Sequence, residues 1–155
     1  MKLSNDGIKF LKAREGFDAK SKLANGSWKA HYDTIAKVYD MPYGMRYDID
    51  GSEVVKDTIW TQEKVDYVFG CQIESFEHGI NKILNGVQLE QYQFDALFSF
   101  AWNIGINGFR TSTVVKDLKA GNYADVPRAM LLWTKNKELI PRRQLEVKLW
   151  SGVYE

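Results

Sequence analysis

The sequence predicts a mostly helical α+β fold: a small β lobe near the N-terminus, a larger C-terminal helical lobe, and a long helix joining them. Three stretches predict it. Between residues 65 and 84, apolar side chains recur at spacings of three and four (Val65, Val68, Phe69, Ile73, Phe76, Ile80, Ile83, Leu84), which makes one continuous helical stripe. Residues 89–102 are apolar almost all round, with Leu89, Tyr92, Phe94, Ala96, Leu97, Phe98, Phe100, Ala101 and Trp102, so this helix must be buried on nearly every side. Upstream of both lies a stretch rich in Gly, Asp, Tyr and Lys, with short apolar runs and two turn signals, Asn25-Gly26 and Asp50-Gly51.

The elements follow in order. A first helix is expected over residues 4–14: Ser4 caps it, Asp6 suits its positive end, and Ile8 and Leu11 give an apolar face beside Phe10. Glu15-Gly16 ends it. A small, irregular antiparallel sheet should occupy the β lobe, about residues 15–60. Thr61 caps the long helix and Asn85-Gly86 stops it. Shorter helices are expected over 112–120, 124–133 and 141–150, with Gly121 closing the first of them. Residues 1–155 are expected to form one domain, with 1–14 and 61–155 as the helical lobe and a cleft between the lobes as the natural ligand site.

Composition excludes several functions. With 21 Lys and Arg against 20 Asp and Glu, the formal net charge is only +1, so nothing favours electrostatic capture of nucleic acid. No apolar run approaches the ~20 residues that a bilayer requires. The polar start, Met1 to Gly7, lacks the apolar core of a secretory signal, so the expected location is the host cytoplasm until release to the wall, without stable membrane insertion. A single cysteine, Cys71, excludes an internal disulfide and reads as a buried structural thiol. His31 and His78 are too few and too far apart for a metal site, and there is no glycine-rich phosphate loop, so neither metal nor cofactor is expected.

The chemistry is sought among carboxylates. Glu15 stands at the C-terminal end of the first helix, where the helix dipole disfavours a carboxylate and suits a general acid. Asp33, Thr34 and Asp40 in the β region are potential partners. Two carboxyl groups facing one another are what glycoside hydrolysis needs, one to protonate the leaving oxygen and one to act as base or nucleophile. Taken alone, the same residues also fit a frayed helix end and ordinary turns.

A resemblance bears on this choice. The run from Gly7 to Gly16, with Arg14-Glu15-Gly16 at its end, resembles the opening helix of phage lysozymes (glycoside hydrolase family 24), whose catalytic glutamate precedes a glycine. Tyr43-Gly44, Asp50-Gly51-Ser52 and Thr58-Ile59-Trp60-Thr61 are similar to the family's segment following its TIGYG strand. The run from Leu89 to Leu97, then Phe100-Ala101-Trp102-Asn103-Ile104-Gly105, resembles the family's most recognisable stretch. Phe109, Ser112-Thr113 and Arg142-Arg143-Gln144-Leu145-Glu146 match as well. The resemblance implies a lysozyme-like fold and a muramidase, that is, a peptidoglycan hydrolase acting on glycan strands, with Glu15 as general acid, no cofactor and a monomeric chain.

The catalytic stretch departs from the family. Asp33 comes eighteen residues after Glu15, a longer spacing than the family's, which an insertion around residues 21–29 explains. Aligning on Tyr43-Gly44 puts Asp40 where the family has threonine. In a second register Thr34-Ile35-Ala36-Lys37-Val38-Tyr39-Asp40 is similar to the TIGxGxD run of the related bacteriocin pesticin, and there Thr34 positions water while Asp40 is the carboxylate. The downstream matches favour the first register; Glu15 and Asp40 belong to both. Arg142 and Arg143 match the family's paired arginines, one of them expected near the glutamate, or else form a solvated basic face opposite Glu146. Asn103 ends the buried helix and is a second-choice sugar contact. Trp28, Tyr32 and Tyr39 are candidates for stacking on sugars, or for packing, and Trp102 and Trp133 belong to the core. The altered stretch at residues 39–42 also admits a catalytically degenerate domain that binds glycan or protein.

Overall fold

In the computed structural model, residues 1–16 and 19–154 are described; Phe17 and Asp18, at the start of the expected β lobe, lie outside the described residues. The chain forms two compact units, residues 12–74 and residues 1–11 with 75–155, and their boundaries fall inside two continuous helices.

Unit 12–74 begins with the last turn of helix α1 (Asn5–Glu15). Four short strands follow: β1 (Trp28–Lys29), β2 (His31–Asp33), β3 (Val38–Asp40) and β4 (Ile59–Trp60). They make two separate two-stranded antiparallel sheets, β1 with β4 and β2 with β3, rather than the single small sheet expected. Both sequence-marked turns form. Lys22 bridges to Trp28 around Asn25-Gly26, and Tyr47 bridges to Glu53 around Asp50-Gly51. The strands hold together because Trp28, Met41, Met45, Val54 and Trp60 are buried with Val65, Val68 and Phe69 from the first half of helix α2 (Gln62–Ile83). Trp28 thus packs, and its indole N–H donates to Gln62 at 2.7 Å. Thr61 caps α2 as its position requires, its hydroxyl accepting from the Lys64 N–H at 3.1 Å. Cys71 departs from expectation: it is half-buried, close to the exposed Tyr67 one turn earlier.

The other unit is built around α3 (Gln91–Ile104), whose residues from Phe94 to Ala101 are all buried. A reciprocal capping box starts this helix, with Glu90 and Gln93 each satisfying the other's backbone N–H. Four more helices surround it: α4 (Ile106–Thr111), α5 (Thr113–Lys119), α6 (Val126–Leu131) and α7 (Ile140–Trp150). The Ser112 side chain caps α5, accepting from the Val115 N–H. The periodicity did not mark α4, because Asn107-Gly108 within it has the composition of a turn. Helix α6 is shorter than expected, since residues 123–125 form a 3₁₀ turn ahead of it. Trp102 and Trp133 are half-buried at the edge of the aromatic cluster rather than enclosed by it. Among the described residues no helix is long and apolar enough to cross a membrane.

Candidate active site

Within unit 12–74, the end of α1 delivers Glu15. It is the last helical residue, and Gly16 follows with φ +52°, a left-handed turn that glycine adopts without penalty. Its carboxylate lies against the backbone of Gly44: a Cβ built on that glycine would stand 3.1 Å from Glu15 Oε2. A side chain at position 44 would therefore push on the carboxylate.

The segment that presents Gly44 is strained. Residues Pro42–Gly44 form a 3₁₀ turn in which Tyr43 takes φ 63° and Gly44 takes φ 72°. A tyrosine in the left-handed region costs about 1–2 kcal/mol, so packing must hold it there. The Tyr43 ring is buried, lies 4.4 Å from Phe69 centroid to centroid, and has the Lys12 ammonium 5.5 Å away. Such strain persists where its surroundings over-determine it, and here it places a bare backbone at the glutamate.

Four residues upstream of Gly44, strand β3 ends at Asp40. Its ladder with β2 pairs His31 with Asp40, Tyr32 with Tyr39 and Asp33 with Val38. Side chains alternate along a strand and directly opposed residues share a face. His31, Asp33 and Asp40 therefore line one face of the hairpin, while Tyr32 and Tyr39 lie on the other, ring centroids 5.0 Å apart. Tyr32 is 45% exposed, so its ring is available for stacking.

The carboxylates on that shared face are held differently. Asp33 Oδ1 accepts the backbone N–H groups of Ile35 and Ala36 at 2.9 and 3.0 Å, tying it into the hairpin turn. Asp40 Oδ1 lies 3.3 Å from His31 Nδ1. Burial pushes the Asp40 carboxyl above its ordinary range, and the nearby charge of Asp33 adds to this, while His31 and, less strongly, Arg46 pull it down. Thr34 is exposed in the turn, past the last ladder pair, at the opposite end of the hairpin from Asp40.

The remaining candidates lie in the other unit, on α3 and α7. Arg142 and Arg143 are not a solvated basic face; both are buried around Glu146. Arg142 Nε donates to Glu146 Oε1 at 2.9 Å, and Arg143 donates to Oε2 at 2.6 Å. The Ser99 hydroxyl adds a bond to Oε1 at 2.7 Å. Arg143 also donates to the Asn103 side-chain oxygen and to the Trp133 carbonyl. Fully buried, Arg143 orients Asn103 instead of presenting itself to a ligand. Among the described residues no group of histidine, cysteine and acidic side chains is arranged to hold a metal ion.

Sequence reasoning missed His31 as a partner of Asp40 and Tyr43 as the strained support of Gly44. The register of the hairpin would have exposed the first. Its turn gives no conventional signal, because Lys37, not Gly or Asn, takes the positive φ of 57°.

Within unit 12–74, a glycine turn thus lies against a helix-terminal glutamate, and the segment leading into that turn ends a hairpin that bears two aspartates. The chain belongs to the phage lysozyme family, whose model matches residues 22–146. It is 31% identical to the endolysin of Salmonella phage P22 over 97% of this chain and 98% of that protein. It is 32% identical to the endolysin of Bacillus phage B103 over 97% of its own length, but it spans only about half of that relative (54%). Among solved structures, the endolysin from Escherichia coli O157:H7 phage FAHEc1 superposes with a TM-score of 0.82 at 30% identity, covering 100% of this chain and 97% of that one. The fold is thus lysozyme-like, α+β and mostly helical.

Proposed function

We propose that this chain is a muramidase that hydrolyses the β-1,4 bond between N-acetylmuramic acid and N-acetylglucosamine in peptidoglycan. One observation carries the reading: the Glu15 carboxylate is seated on the Gly44 backbone, at the end of the same short segment that begins with Asp40. Family membership and the endolysin relatives supply the substrate class.

In this mechanism protonated Glu15 gives its proton to the glycosidic oxygen as the bond to the anomeric carbon breaks. Asp33, oriented by its two backbone N–H donors, faces the positive charge that develops on the sugar ring. Asp40 takes a proton from the attacking water, whose oxygen adds to the anomeric carbon; burial makes this carboxylate a better base than an exposed one. Glu15 ends ionised and Asp40 protonated, and exchange with solvent resets both. The exposed position of Thr34, away from Asp40, favours the register in which Asp33 and Asp40 act and Thr34 does not. Tyr32 and Tyr39 serve as a stacking surface on the other hairpin face. The chain would act as a monomer, reaching the wall from the host cytoplasm after the membrane is permeabilised.

Clearing of purified cell walls by the parent chain beside Glu15→Gln tests the reading. The variant should lose about 10²–10⁴-fold in rate while keeping its melting temperature. A folded parent that binds walls without clearing them would instead establish a glycan-binding module.

A further inference from the structure

We propose that His31 is a positioning residue for Asp40, its imidazole fixing the carboxylate in the orientation that lets it act on water. The inference rests on the assignment of Asp40 as base.

The hairpin supplies the reason. Three residue pairs join β2 to β3, and Asp40 stands in the last of them, at the end away from the turn. A carboxylate there needs a partner to select one orientation. His31 lies directly opposite on the same face, with Nδ1 3.3 Å from Oδ1, a separation that a small rotation of either side chain brings into a strong hydrogen bond. An N–H at Nδ1 donates to Oδ1 and leaves Oδ2 to accept a proton from water. The charged groups around Asp40 are His31, Asp33 and Arg46; Asp33 shares the hairpin face and Arg46 follows the Pro42–Gly44 turn. His31 is the one that both bonds to the carboxylate and lowers its affinity for protons. It therefore sets how far into acid Asp40 stays ionised and available as a base. His31 itself is 46% exposed, so replacing it removes little of the core.

The test uses full-length chain in four forms: parent, His31→Phe, His31→Asn and Asp40→Asn. The Asn variant places an amide donor near the position of Nδ1, whereas Phe keeps the ring and removes the donor. His31→Phe should slow wall clearing at least ~10-fold, move the acid limb of the pH–rate profile to higher pH, and raise the midpoint of the Asp40 carboxyl resonance in carbon-13 NMR. His31→Asn should recover most of the rate. If Asp40→Asn is slow while His31→Phe leaves rate, profile and carboxyl midpoint unchanged, this inference is overturned and the base assignment stands. If Asp40→Asn clears walls at the parent rate, the base assignment fails and the inference falls with it.

Discussion

Glu15 Oε2 lies so near the backbone of Gly44 that a single methyl group there would meet it at 3.1 Å. Glycine at position 44 therefore answers two demands, a φ of 72° and an open face toward the carboxylate. Gly44→Ala should cost about 1–2 kcal/mol for the backbone alone, a melting-temperature loss of roughly 2–8 °C for a chain of this size. It should also displace Glu15 and slow wall clearing ~100-fold, since small errors in placing an acid are expensive. Gly51→Ala is the control: its φ is 85° and nothing stands within 4 Å, so it should lose similar stability at unchanged rate. Equal rate losses in both variants would refute the contact's role.

Asp40 should be a liability to the fold at neutral pH. Burial, the larger cause, and Asp33 raise its folded-state pKa above the ordinary 3.8, against the pull of His31 and Arg46. A raised value means the folded chain holds that proton more tightly than the unfolded one does. The stabilising contribution is fully present below about pH 3.8 and is lost as pH rises through the folded value. Asp40→Asn should accordingly raise the melting temperature at neutral pH, and the advantage should vanish in acid. The same variant should clear walls ~10²–10⁴-fold more slowly. Thermal melts across the acid range, paired with clearing rates, check both halves; a destabilised variant at neutral pH would contradict the sign.

Glu146 neutralises two buried guanidinium groups. Glu146→Ala leaves Arg142 and Arg143 without that counter-charge, a loss of about 3–5 kcal/mol, or roughly 6–20 °C in melting temperature. Ser99→Ala should cost about 1 kcal/mol alone and less in the Glu146→Ala background, because the hydroxyl bonds the same carboxylate. A double-mutant cycle on urea midpoints measures this; strict additivity would show that the serine acts elsewhere.

What the sequence made legible follows from which forces leave local marks. Helix α3 was readable because a helix enclosed on all sides must be apolar all round, and α2 because its stripe repeats at the helical period. The cap at Thr61 was readable because it acts within one turn. The Asp40–His31 pair was not, since it depends on strand register, and register here rests on a turn where lysine does what glycine usually does. Arg142-Arg143 read equally well as surface charge, because only the fold brings Ser99 and Asn103 to the carboxylate and guanidinium groups of α7. The position of Glu15 at a helix end was visible, but its contact with Gly44 joins residues far apart in sequence.

The buried Asp95 ties both ends of the chain to α3, and this tie should fail in alkali. Its carboxylate accepts the Ser4 N–H at 3.1 Å, the Ser4 hydroxyl, the Gln91 amide at 2.9 Å and the Tyr154 hydroxyl at 2.7 Å. Burial first, then donation to Asp95, pushes the Tyr154 phenol above its ordinary 10.0. The folded chain thus keeps that proton more tightly than the unfolded one, so the stability is complete below about pH 10 and drains away as pH rises through the folded value. A phenolate facing Asp95 would be a like-charge pair in place of a hydrogen bond. Tyr154→Phe should lower the urea midpoint at neutral pH and fall less steeply above pH ~10, so the two curves converge in alkali. Curves that stay parallel across that range would show that the hydroxyl contributes no pH-dependent stability.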